Sequence, residues 1–155
     1  RFRGERVPTL ADALGEARGR GRLLLDVKDA KMGAAIQAAL TQAGVGVEAI
    51  WVAQNDNEEA RVDFSSAIPG VGILWGAVPE RPTRWAFLAL RKQGIVGFEL
   101  PFAQLTEEFV QAAHRNRMPV YTYTLFDRES MLRAIRWGVD GIETDYPAML
   151  RGLMP

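Results

Sequence analysis

Short apolar runs rich in branched or aromatic residues alternate with segments whose apolar residues recur at helical spacing. This alternation limits what the chain can fold into more than any other feature. The runs are RLLLDVK from residue 22, AIWVAQ from 49, VGILWG from 71, IVGFELP from 95, PVYTYTLF from 119 and DGIETDYP from 140. Each reads as a strand, which makes six. Helical spacing is clearest over 32–44, 84–94, 105–117 and 128–138. The punctuation agrees: Thr9 with Asp12 has the form of a capping box, Asp127 can cap the helix after it, and Gly44, Gly94 and Gly138 stand where helices should stop.

Strands separated by helices pair in parallel through right-handed crossovers, which leaves a doubly wound sheet or a (β/α)8 barrel. A closed eight-unit barrel takes about 250 residues. The chain has 155 residues and six units, so a barrel would be about two units short. A doubly wound nucleotide-binding domain would carry a Gly-rich turn after its first strand, where this chain reads DVKDAKMG. Neither a dinucleotide fingerprint nor a P-loop is present in the sequence.

With 48% apolar and 25% charged residues, residues 1–155 are predicted to form a single domain with its own core. Nineteen basic side chains balance nineteen acidic ones, so no global field favours nucleic acid or an anionic membrane. The sequence has no cysteine, which excludes disulfides, thiolate metal sites and a cysteine nucleophile while leaving the compartment unassigned. No apolar run approaches the roughly 20 residues of a bilayer span, so stable membrane insertion is not expected.

The first strand ends in an acid and a base two residues apart, Asp26 and Lys28. Side chains alternate along a strand, so the two are expected to point the same way at its carboxyl end. The pair reads either as a simple ion pair or as part of a site. Glu99 in GFELPF and Glu143 in GIETDYP also lie near strand ends, where barrel enzymes keep their active-site groups. QNDNEE, 54–59, lacks the spacing and central glycine of an EF-hand and reads as a strand end leading into a capped helix. Trp51, Trp75, Trp85 and Trp137 are expected to pack in the core and against helices.

Residues 120–147, VYTYTLFDRESMLRAIRWGVDGIETDYP, resemble the end of the glycerophosphodiester phosphodiesterase family, with Tyr123, Thr124, Asp127, Met131 and GVDGIETDYP carrying the likeness. Upstream, FRGERVPTLADAL at 2–14 resembles the family's FxGExIPTLEEVL, and LLLDVKD its third strand, which usually ends Glu-x-Lys. The resemblance implies a (β/α)8 TIM-type barrel with about six βα units in this chain. It also implies metal-dependent hydrolysis of glycerophosphodiesters to glycerol 3-phosphate and an alcohol.

By the same resemblance Asp26 would ligate a divalent metal, Ca or Mg, Lys28 would contact the substrate phosphate, and Tyr123 would wall the substrate pocket. Glu99 and Glu143 are further candidates. Four places depart from the family pattern: Asp26 replaces Glu, Tyr123 replaces Trp, Phe126 replaces a small polar residue, and Gln54 and Asn55 stand where the family often shows Ser-Phe. The family's His-Arg-Gly and Glu-x-Asp motifs and its two catalytic histidines have no match here. The only histidine, His114, is read as a helix-surface residue.

The chain is therefore expected to be an N-terminally incomplete member, inactive alone, that supplies part of the metal and phosphate site of a longer enzyme. Its partners would be a small-molecule substrate, no nucleic acid, and a second copy through an open barrel edge. The alternatives are a non-catalytic barrel remnant or binding domain, and a related phosphodiesterase acting on lysophospholipids.

Overall fold

A computed structural model of the chain describes residues 4, 6–54 and 57–154. These contain six strands and seven α-helices in alternation and divide into two compact units, Arg1–Gly72 and Ile73–Pro155.

The first unit holds α1 (Leu10–Ala17), β1 (Leu23–Asp26), α2 (Gly33–Ala43), β2 (Ile50–Gln54) and α3 (Glu58–Ala67). Thr9 opens α1 with the predicted capping box: its hydroxyl accepts from the Asp12 amide at 3.2 Å, and its amide donates to the Asp12 carboxylate at 2.9 Å. Of the segment resembling the family's helix leader, residues 2, 3 and 5 lie outside the described residues. Strand β1 pairs in parallel with β2, Asp26 standing opposite Ala53.

Helices α2 and α3 approach closely because residue 33 has no side chain; a Cβ there would overlap Ala67 and Asp63. Asp63 uses that proximity to accept from the Gly33 amide at 2.7 Å, satisfying a donor at the start of α2. Leu14, Ile36, Leu40, Ile50, Val52, Phe64 and Ile68 are buried between helices and strands. Each such side chain contributes about 1.5–3 kcal/mol by leaving water. Asn57 caps α3 by accepting from the Ala60 amide, as the QNDNEE reading requires, although residues 55 and 56 lie outside the described residues.

The second unit takes in β3 (Gly72–Trp75) from its second residue onward, then α4 (Arg84–Lys92), β4 (Ile95–Pro101), α5 (Glu107–Arg115), β5 (Val120–Tyr123), α6 (Arg128–Trp137), β6 (Gly141–Ile142) and α7 (Pro147–Arg151). Its strands pair in parallel and in sequence order. Phe98 of β4 meets Phe87 of α4 and Phe109 of α5 edge to face, with the Phe98 ring 5.9 and 5.1 Å from the other two. That cluster marks the face of the sheet that the helices cover.

Two expectations are corrected. The last strand keeps only Gly141 and Ile142 of the DGIETDYP run, because the chain turns away into α7 at Pro147. Trp85 is not a core residue: it is 76% exposed on α4, whose buried face is taken by Phe87. Among the described residues no helix is long and apolar enough to cross a membrane.

Candidate functional site

In each unit the residues singled out from the sequence lie near the carboxyl ends of strands. In the first, Asp26 is the last residue of β1 and Lys28 lies just beyond it. The Lys28 Nζ donates to Asp26 Oδ2 at 2.5 Å, so the period-two expectation of a meeting pair holds. Both side chains are mostly in solvent, at 79% and 61% exposure, where an ion pair contributes at most about 1 kcal/mol. A depression of about 490 Å3 lies against the pair, with Leu10, Leu24, Met32 and Ile36 supplying an apolar wall.

In the second unit the register of β4, β5 and β6 decides which residues share a face. Glu99 stands opposite Tyr121, Tyr121 opposite Gly141, and Pro101 opposite Tyr123. Phe98 and Leu100 take the helix-covered face, so alternation puts Glu99, Tyr121, Tyr123 and Gly141 on the other. The Cδ1–Cε1 edge of the Tyr121 ring lies where a side chain at 141 would be, and a Cβ at Gly141 would overlap it. Tyr121 is thus a packing residue, and Tyr123, two residues on, ends the strand beside it.

Glu99 is 7% exposed, one of two buried polar side chains among the described residues; the other, Thr122, donates to the Leu100 carbonyl at 2.9 Å. Among the described residues no buried side-chain oxygen or nitrogen is without a hydrogen-bond partner. Glu143 is exposed just past β6, its backbone pinned by an amide bond to the Thr122 carbonyl at 2.8 Å and a carbonyl bond from the Leu125 amide at 3.0 Å. In the loop after β5, Phe126 is 54% exposed, and Asp127 caps α6 by accepting from the Ser130 amide at 2.8 Å. That backbone bond, with the Ser130 hydroxyl next, holds the Asp127 carboxyl below its ordinary value.

His114 lies away from these residues, in the last turn of α5, with its ring nitrogen 2.8 Å from Asp140 at the start of β6. It lies on the helix surface, as expected, and its contact with Asp140, which the sequence reading did not foresee, sits at the amino end of β5 and β6.

For a divalent metal, Asp26 has the oxygen donor that a hard cation takes. One carboxylate is not a binding site, and among the described residues no group of three or more His, Cys, Asp or Glu side chains is placed to hold an ion. The described residues therefore place one exposed carboxylate at this strand end and no group of side chains that would hold an ion by itself.

The lateral row of Glu99, Tyr121 and Gly141 was not legible in the sequence, since nothing local sets which residue of one strand faces which of the next. The buried state of Glu99 follows from that row. A signal was present in GFELPF, where apolar residues flank the acid on both sides, as they do in a strand covered on both faces.

Comparison with known proteins agrees with this architecture. Residues 54–149 match the glycerophosphoryl diester phosphodiesterase family. The chain is 27% identical over 158 residues to glycerophosphodiester phosphodiesterase GDPD4 of Arabidopsis thaliana, covering 96% of this chain and 47% of that protein. Among solved structures, a protein of Silicibacter pomeroyi assigned as a glycerophosphoryl diester phosphodiesterase superposes with a TM-score of 0.79 at 23% identity, over 95% of this chain and 56% of that one. A glycerophosphodiester phosphodiesterase from Parabacteroides distasonis gives 0.75 at 19%, over 97% and 65%. An Oleispira antarctica phosphodiesterase solved with the product sn-glycerol-3-phosphate gives 0.71 at 19%, over 94% and 60%. The chain thus spans about half the length of the first of these relatives and up to about two thirds of the others. Their fold is its fold, a (β/α)8 barrel of which it carries six units. On the match over 54–149, the chain belongs to the glycerophosphoryl diester phosphodiesterase family.

Proposed function

We propose that the longer protein containing this chain hydrolyses a glycerophosphodiester to glycerol 3-phosphate and an alcohol, and that the chain supplies part of its phosphate site. The observation that carries this reading is the Asp26–Lys28 pair, 2.5 Å apart at the carboxyl end of a parallel strand. The ammonium of Lys28 is exposed to an incoming phosphodiester and offsets its charge, while Asp26 holds the lysine in position. Tyr123, at the end of β5, presents an aromatic wall. A divalent ion, when bound, would polarise the phosphoryl oxygens, with Asp26 as one ligand among others from outside the described residues.

In the reaction water adds to phosphorus and the P–O bond to the alcohol breaks, the alcohol leaving with a proton. The general acid and base are not among the residues described here, so the isolated 155-residue chain is inactive on this reading. The product complex of the Oleispira protein supports a small-molecule substrate of this class.

The test is release of glycerol 3-phosphate from glycerophosphocholine by the full-length protein, with and without calcium or magnesium. Release abolished by Asp26→Ala supports the reading. A full-length protein that turns over no glycerophosphodiester under either metal points instead to the non-catalytic remnant. Selective cleavage of a lysophospholipid would move it to the lysophospholipid-acting class.

A further inference from the structure

A second concave surface lies away from the strand ends. Helices α4 and α5 flank a groove of about 670 Å3 lined by Arg84, Leu88, Arg91, Arg115, Asn116 and Arg117, among others. All four arginines are exposed. Among the described residues none of them forms an ion pair with an acidic side chain. Arg91 donates to the Asn116 carbonyl at 3.3 Å, which ties the two helix ends together and leaves its remaining donors available. Arg81, three residues before α4, and Lys92 at its end add positive charge, and the acids nearest to them in sequence are Glu80 and the buried Glu99.

Arg117 has the left-handed conformation, φ 57°, and is the one non-glycine residue with positive φ among those described. It ends α5 as Gly44 and Gly138 end α2 and α6, with the Met118 amide reaching back to the Ala113 carbonyl at 3.0 Å. Glycine would meet this backbone requirement without strain. An arginine here costs the fold something and places a cation on the groove.

Apolar groups sit beside the charge. Trp85 is 76% and Leu88 41% exposed, three residues apart and hence neighbours on the α4 surface. Arg84, Leu88 and Arg91 follow the i, i+4, i+7 stripe, so the leucine lies between two cations. Indole and guanidinium groups around exposed aliphatic carbon suit a membrane interface, where rings and stems sit at the headgroup level. Nucleic acid would use the arginines and could stack on the indole, but it has no use for the leucine.

We propose that the α4–α5 face docks the protein on an anionic lipid surface, the arginines taking headgroup phosphates while Trp85 and Leu88 enter the interface. The balanced net charge is no obstacle, because the field of a surface falls off within a Debye length and only the facing groups feel it.

The test is co-sedimentation of the full-length protein with vesicles of phosphatidylcholine alone and of phosphatidylcholine mixed with phosphatidylglycerol. Pelleting is expected with the mixed vesicles alone and should weaken as salt rises. Arg84→Gln and Arg115→Gln should each lower the partition coefficient about fivefold, and Trp85→Ser should lower it without changing the salt dependence. Arg117→Gly is the discriminating variant: it should melt no lower than the parent and still bind about fivefold more weakly. Hydrolysis of a soluble glycerophosphodiester should be unchanged in all four.

Equal binding to neutral vesicles, no binding to either kind, or full binding by the arginine variants overturns the proposal. So does an arginine-dependent shift of single-stranded RNA, or thermal protection by inorganic phosphate, in a protein that does not pellet with vesicles.

Discussion

Asp140 Oδ2 lies 2.8 Å from the ring Nε2 of His114 and also accepts from the Val120 amide at 2.7 Å. One carboxylate oxygen therefore joins the end of α5, the start of β5 and the start of β6, while the Asp140 amide returns a bond to the Val120 carbonyl at 2.8 Å. Because this junction is at the amino end of the strands and the candidate site is at the carboxyl end, stability and activity should separate here.

Asp140→Ala should destabilise the protein by about 1–3 kcal/mol, since it leaves the Val120 amide without its acceptor. His114→Ala should cost less, about 0.5–1.5 kcal/mol, because the ring is a third exposed and can be replaced by water. Urea denaturation of the two variants checks the order, and neither should change turnover by the full-length enzyme at a temperature where it remains folded.

Asp26→Ala and Lys28→Ala should do the reverse. Each should change stability by less than about 1 kcal/mol, because the pair is exposed. In the full-length enzyme Lys28→Ala should lower kcat/KM by about a hundredfold, and Asp26→Ala by at least as much. Steady-state assays beside melting curves read both quantities; wild-type turnover in Asp26→Ala would remove that residue from the site.

Gly141→Ala should cost about 1–3 kcal/mol, since the new methyl must displace the Tyr121 ring. In a Tyr121→Ala background the same change should be nearly neutral. A double-mutant cycle measures the difference, and additive effects would mean that the ring is not what excludes a side chain at 141.

Acid should loosen the helix starts. The carboxyl of Asp127 is held low by the Ser130 amide and then its hydroxyl, and that of Asp12 by the Thr9 hydroxyl and then its amide. Both groups have a folded value below the unfolded one, about 3.9, so their contribution is complete above that pH and is lost as pH falls through the folded value. Asp127→Asn keeps the capping oxygen but cannot titrate. Stability measured from neutral pH into the acid range should therefore fall less steeply for this variant than for the parent.

The parts of the fold that were legible in the sequence depend on groups a few residues apart. Thr9 and Asp12 close a box because they are three apart on one turn, Asp127 reaches the Ser130 amide for the same reason, and Gly44 and Gly138 end helices through their own φ. The Asp26–Lys28 pair belongs with these, since a two-residue spacing at a strand end is enough to bring the charges together. The alternation of strand and helix then limited the topology to a parallel sheet.

What only the tertiary structure decided is lateral. Which residue of β5 stands beside Glu99 depends on register, set by the packing of Phe98 against Phe87 and Phe109 on the opposite face, and no local spacing encodes it. Trp85 lies outside the core for a related reason: the helix can bury one stripe, and Phe87 occupies it. The arginine groove joins residues 84 and 91 to residues 115 and 117 across two helices, so a charge count that sums to zero along the chain gave no sign of it. Hydrogen bonds within a turn are fixed by chain connectivity, whereas neighbours across strands and helices are fixed by which surfaces can close over one another, and that is a property of the folded whole.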